Sequence, residues 1–163
     1  CSVDSGVVGS YVHNQVAPGL GMIGALVALE STGDEQKLTE LGKQLAMHVS
    51  WAAPQAIDKE GIDASALERE RKVLEDQARA SGKPEEIVQK MVEGRLGKYF
   101  EEVCLLEQTF VIDGETKVRK VLDQASSEMG AAVTVMAFLR YQVGEGIERE
   151  TSDFAAEVAA QVG

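Results

Sequence analysis

Apolar positions recur along this chain with two different periods, and the changes of period divide it into segments. Val7, Val8, Tyr11 and Val12 are β-formers, and Met22-Ile23-Gly24-Ala25-Leu26-Val27-Ala28-Leu29 is a short apolar run. Both read as strands. Between them Asn14-Gln15-Val16-Ala17-Pro18-Gly19 carries a Pro-Gly turn signal, which predicts a hairpin with a longish loop. The period then shifts to three and four: Leu38, Leu41, Leu45, Val49 and Ala52 mark one face of an amphipathic helix. Thr32-Gly33-Asp34-Glu35 ahead of it has the form of a capping box, and Pro54 closes it.

The middle of the chain is charge-dense and its apolar stripe is narrow. Leu67, Leu74 and Ala78 sit near one line of a helix that Asp63 is placed to cap. Ser81-Gly82-Lys83-Pro84 supplies a glycine fit for a helix C-terminus and a proline fit for the next first turn. Ile87, Val88, Met91 and Val92 provide the facing stripe of a second helix. These signals predict an antiparallel two-helix arm over residues 63–107 with a coiled-coil-like seam.

Beyond the arm, residues 108–113 read as a loop or short extended piece. Val118, Val121 and Leu122 then mark a helix over residues 117–128. Val133, Val135, Ala137 and Leu139 alternate with Thr134, Met136, Phe138 and Arg140, a third strand that Gly144-Glu145-Gly146 ends. Ser152-Asp153-Phe154 opens a short C-terminal helix with Phe154, Ala155, Val158 and Val162 on its apolar side. The expected fold is α+β: a small three-stranded antiparallel sheet backed by helices, an inserted antiparallel two-helix coiled-coil arm, and a short C-terminal helix. The corresponding division is a core subdomain built from residues 1–62 and 108–149, the arm at 63–107, and a C-terminal module at 150–163.

Charge narrows the partners. Lys plus Arg number 16 against 27 Asp plus Glu in 163 residues, a formal charge of −11. A nucleic-acid binder needs a basic face to release counterions, so this balance points away from direct nucleic-acid binding and from anionic membranes. No stretch approaches the roughly 18–20 apolar residues of a spanning helix. The opening residues show no signal-peptide pattern, and the chain opens on Cys1 rather than Met, as a fragment or processed product would. Cys1 and Cys104 make neither a metal spacing nor a disulfide framework, which favours a reducing compartment.

Candidate chemistry is sparse. His13 and His48 are the two histidines and follow no zinc-ligand spacing; no serine lies in a G-x-S-x-G elbow. Gly19-Leu20-Gly21 and Gly144-Glu145-Gly146 extend to no phosphate-binding loop. Adjacent Glu101 and Glu102 point in different directions on a helix and make no shared acid–base site. His48, on the first helix, reads as a half-buried packing residue. Trp51 reads as packing the end of that helix. His13, at a strand end beside the turn, is equally open to partner contact and to plain surface exposure. The residues therefore favour binding over catalysis, with no cofactor and no metal expected.

Several blocks, in order, carry a resemblance. Gly9-Ser10-Tyr11-Val12-His13, Leu45-Ala46-Met47-His48-Val49, Ser81-Gly82-Lys83-Pro84, Lys90-Met91-Val92-Glu93-Gly94-Arg95, Gln108-Thr109-Phe110-Val111, Val143-Gly144-Glu145-Gly146-Ile147-Glu148 and Asp153-Phe154-Ala155-Ala156-Glu157-Val158 together resemble the translation elongation factor Ts family. The insertion at residues 14–20 looks like the α-proteobacterial and organellar style of that family. The resemblance implies a guanine nucleotide exchange factor for the GTPase elongation factor Tu, one that performs no covalent chemistry and works in the bacterial cytoplasm or, alternatively, the mitochondrial matrix or plastid stroma.

The match covers the family's second core subdomain, arm and C-terminal module. The family's N-terminal helical domain and its Thr-Asp-Phe-Val-Ala wedge have no counterpart in this sequence; Ser152-Asp153-Phe154-Ala155 matches the terminal module instead. The resemblance implies that Tyr11, His13, Val111 and Ile112 meet domain 3 of elongation factor Tu; Phe110 joins the partner-binding candidates because His13 and Phe110-Val111-Ile112 would form one polar-plus-apolar patch. It implies that Phe154, Val158 and Gln161 pack on the nucleotide-binding domain. The arm is associated in the family with dimerisation or auxiliary contacts, so a homodimer through it is one expectation. A purely structural dimerisation module is the alternative to a docking and exchange role.

Overall fold

A computed structural model describes residues 2–146. The predicted C-terminal helix, with Phe154, Val158 and Gln161, lies outside the described residues. The first two strands form a hairpin, β1 (Gly6–Ala17) antiparallel to β2 (Leu20–Glu30), with Gly6 opposite Glu30 at one end and Ala17 opposite Leu20 at the other. The expected loop from Asn14 is therefore strand. The reversal is confined to Pro18-Gly19, where proline presets its own φ and Gly19 takes a φ of 75°. A register shift between Gln15 and Ala17, with Asn14 at a φ of 51°, absorbs the irregularity.

β3 (Thr134–Gln142) adds antiparallel to β2, giving the order β1-β2-β3. Its register breaks between Ala28 and Leu29 of β2, so Met136 is an extra residue. This bulge reverses the expected alternation. Phe138, not Leu139, turns to the helix-covered face and packs on the core, while Leu139 joins the outer face.

α1 (Glu35–Ala52) covers one face of the sheet. Its cap is Asp34, whose carboxylate accepts the Lys37 amide at 2.9 Å, so the start lies two residues past the expected Thr32. The helix ends as Ala53 enters the left-handed region ahead of Pro54. Leu38, Leu41, Leu45 and Val49 meet Ala25, Val27 and Leu29 of β2, and α4 (Val118–Met129) adds Val118 and Leu122. At the α1–β1 crossing a Cβ built on Gly9 would fall inside the Gly42 backbone, so two glycines let helix and strand approach closely. Arg140 donates from Nε to the Ser50 carbonyl at 3.2 Å, placing a cation at a helix end that has no basic residue of its own.

The arm comprises α2 (Ala64–Arg79) and α3 (Glu85–Val103). Asp63 caps α2 as expected, accepting the Ala66 amide at 2.9 Å. Pro84 is the cap of α3 rather than its first residue, and its carbonyl accepts the Ile87 and Val88 amides. Leu74, Ala78, Val88, Val92 and Leu96 form a small core of the arm's own. Ile87, expected in the seam, is exposed, and Leu96 takes the buried place at the four-residue spacing from Val92. The root of the arm is stitched to the segment after α1: Gln55 donates to the Val103 carbonyl at 2.8 Å and Leu105 to the Ala56 carbonyl at 2.9 Å.

The Gly9–Gly42 contact makes a direct prediction. Gly9→Ala forces helix and strand apart and should cost about 2–3 kcal/mol, the scale of overpacking a core, as a lower denaturant midpoint. Gly24→Ala, on the same sheet with open space at its Cβ, should change the midpoint little.

Candidate functional site

The segment after the arm is held by one buried histidine. His48 is fully buried on α1. Its Nδ1 accepts the Val111 amide at 3.2 Å, and its Nε2 lies 2.9 Å from Gln108 Oε1. Gln108 in turn donates from Nε2 to the Glu102 carbonyl at 2.7 Å. A backbone N–H can only donate, so Nδ1 must be the bare nitrogen and Nε2 must carry the proton. Every polar atom in the chain Glu102–Gln108–His48–Val111 then has a consistent role. Among the described residues no buried side-chain nitrogen or oxygen is left without a partner.

This anchoring decides what the segment presents. Phe110 is 4% exposed, inside the main core and 5.9 Å from the His48 ring. It pins the segment rather than offering a contact surface. Val111 is half-buried, and Ile112 is 47% exposed. The far side of the turn is fixed by Asp113, whose carboxylate accepts the Glu115 and Thr116 amides at 2.9 and 3.0 Å. Those bonds hold its carboxyl below the usual pKa range.

The other expected contacts lie on β1. Tyr11 is half-buried against the main core, and its hydroxyl is 3.4 Å from His13 Nδ1. His13 is exposed and sits within the strand opposite Ile23, not at its end. Hydrogen bonds join Tyr11 to His13 and Val111 to His48, and among the described residues none links the two pairs. At about 100° per residue, Gly42 and His48 stand about 120° apart around α1. Gly42 meets β1 and His48 meets the 108–111 segment. α1 thus fixes both segments that carry the expected contacts, β1 through Gly42 and the 108–111 turn through His48.

Two exposed features escaped the sequence reading. Trp51 does not pack the helix end; it is 74% exposed, beside Ala52, Glu102 and the 2.9 Å ion pair of Lys117 with Glu101. The sheet face away from α1 is also apolar: Val8, Met22, Leu26, Leu139 and Tyr141 are all exposed there. The signal was present, since β2 is apolar at nearly every position, as strands covered on both faces are. An exposed patch of this kind marks a surface for macromolecular contact.

Cys104 is buried, and burial with Glu107 nearby pushes its thiol pKa up, away from reactivity. Among the described residues no three His, Cys, Asp or Glu side chains are grouped to hold a metal, and no helix is long and apolar enough to cross a membrane.

Comparison with known proteins decides the family. The family described as "Elongation factor TS" matches residues 1–145. The chain belongs to the elongation factor Ts family. It is 62% identical over 162 residues to elongation factor Ts of Rhodospirillum centenum, covering 99% of this chain and 53% of that protein. Elongation factor Ts of Paramagnetospirillum magneticum is 61% identical over 161 residues, covering 99% of this chain and 52% of that protein. That of Rhodospirillum rubrum is 60% identical over 160 residues, covering 98% and 52%. The chain spans about half the length of the curated relatives it matches.

The buried histidine ties stability to pH. Burial pushes the His48 pKa below its ordinary value, partly offset by the Gln108 hydrogen bond. Between the folded pKa and about 6.5, the unfolded imidazole binds more protons than the folded one. Stability therefore rises with pH through that window, is complete above it, and is lost as pH falls below about 6.5. Urea midpoints measured between pH 5 and 8 should fall toward the acid side, and His48→Gln should flatten that part of the profile. An unchanged slope in the variant would contradict the assignment.

Proposed function

We propose that this chain is the docking part of a guanine nucleotide exchange factor and binds elongation factor Tu. Membership of the elongation factor Ts family is the observation that carries the reading. It is supported by the anchored segment that presents Ile112 and by the Tyr11–His13 pair on β1. Tyr11, His13, Val111 and Ile112 are the contacts proposed on domain 3 of the GTPase, with Phe110 acting from within the core. Phe154, Val158 and Gln161 are proposed to meet its nucleotide-binding domain. The bacterial cytoplasm is the compartment that goes with this reading.

The work of such a factor is done by binding alone, with no bond made or broken in the protein. A partner that binds the nucleotide-free GTPase more tightly than the GDP form lowers GDP affinity by the same factor. The Thr-Asp-Phe-Val-Ala wedge of the family is not in this sequence, so we assign docking to this chain and acceleration of GDP release to family members that carry the wedge.

A second reading, dimerisation through the arm, has one observation in its favour: Val73 and Ile87 leave apolar surface exposed on α2 and α3. Sedimentation at micromolar concentration separates it from the first, because docking requires no self-association.

The test is a competition. Release of fluorescent GDP from elongation factor Tu, driven by a full-length elongation factor Ts, should slow as this chain is added in excess, and the chain alone should leave release unchanged. A chain that neither competes nor binds would sink the docking reading. Ile112→Ala should weaken binding about tenfold, the scale of a moderate interface anchor. Phe110→Ala should act through stability instead, costing about 3–5 kcal/mol.

A further inference from the structure

His48 does more than fill the core beneath α1. It is fully buried, both ring nitrogens are engaged, and its two partners belong to one stretch of chain, Gln108 and Val111. A histidine needed for volume alone has no reason to spend its bare nitrogen on a backbone amide of an otherwise irregular segment. Other hydrogen bonds of that segment close on itself: Phe110 donates to the Thr116 carbonyl at 2.7 Å, and Gly114 to the Phe110 carbonyl at 2.9 Å. They shape the turn without tying it to α1. The His48 Nδ1 bond ties the turn to α1 immediately before Ile112.

We propose that His48 is a positioning residue for partner binding: its Nδ1, kept bare by the proton on Nε2, fixes the Val111 amide and so sets how Val111 and Ile112 are presented. The proposal rests on the reading that this segment docks on elongation factor Tu. Gln108 selects the tautomer, because its carbonyl oxygen can only accept from Nε2 while its amide is committed to the Glu102 carbonyl. The relay therefore begins at the root of the arm and ends at the docking segment. His48 touches no partner itself.

Two substitutions separate this role from packing. In His48→Asn the side-chain Oδ1 takes a place near that of Nδ1 and can still accept the Val111 amide. In His48→Gln the amide group lies further out, near Nε2, and that acceptor is lost. Hydrogen exchange at Val111 should quicken about tenfold or more in His48→Gln and change much less in His48→Asn, since exchange follows local opening. Amides of Val27 and Leu29 in β2 should be unaffected in both. Affinity for elongation factor Tu should fall about tenfold in His48→Gln and be largely retained in His48→Asn, a rescue that lost packing volume would not give.

Equal loss of affinity in both variants with Val111 exchange unchanged would overturn the proposal. Ring nitrogen chemical shifts of the unsubstituted chain provide a check that needs no variant: at neutral pH Nδ1 should be unprotonated and Nε2 protonated, and the reverse tautomer would also overturn it. Ile112→Ala separates the two layers. If it leaves affinity unchanged the docking reading fails, while the exchange result at Val111 still decides whether His48 positions the segment.

Discussion

The close approach of α1 to the sheet is the constraint on which the rest of this fold depends. Gly42 and Gly9 bring helix and strand backbones together, and Leu38, Leu41, Leu45 and Val49 then reach the inner row of β2. Burying four such side chains is worth about 1.5–3 kcal/mol each before the cost of ordering the chain. Because α1 is fixed in this way, what hangs from its flanks is fixed too. Gly42 locates β1 with Tyr11 and His13. His48 locates the 108–112 segment, and the Arg140 contact at Ser50 holds the far end against β3.

The hydrogen-bond chain through His48 extends that constraint into irregular backbone. Residues 108–113 contain no repeating ladder, yet the amides of Gln108, Phe110 and Val111 all have acceptors. A buried polar chain with every member satisfied specifies one arrangement, whereas one missing partner would leave a buried donor or acceptor exposed to a penalty of about 1–3 kcal/mol. Order in this segment thus comes from two side chains, an imidazole and a carboxamide. On the proposed reading it is order of this kind that lets Ile112 bind without a large entropy cost at the moment of contact.

Much of this was legible in the residues. The three strands, helices α1 to α4 and the arm's Asp63 cap follow from period and capping chemistry, and the ordered sequence blocks carried the family. The misses have separate physical causes. The bulge at Met136 reversed the alternation of β3, and nothing local in that strand marks it. Asp34 took the cap from Thr32, a choice between two good capping residues that only the helix phase settles. Ile87 and Trp51 are apolar but exposed, since apolar character says where a side chain can go and not where it must. Phe110 stood among the expected contacts although it belongs to the core, because a motif gives no direction to a ring. His48 was read as packing, which its burial agrees with; its hydrogen bonds to Gln108 and Val111 span sixty or more positions of sequence and leave no local trace.

The central claim is that α1 fixes two segments, β1 with Tyr11 and His13 and the 108–112 turn with Val111 and Ile112, both proposed to meet one GTPase. Cross-saturation transfer from elongation factor Tu to the isotope-labelled chain tests it most directly. The account predicts saturation at the amides of residues 11–13 and 111–112, with the arm seam around Leu74 and Val92 silent. Saturation confined to the arm, or to the outer sheet face around Leu26 and Leu139, would contradict it.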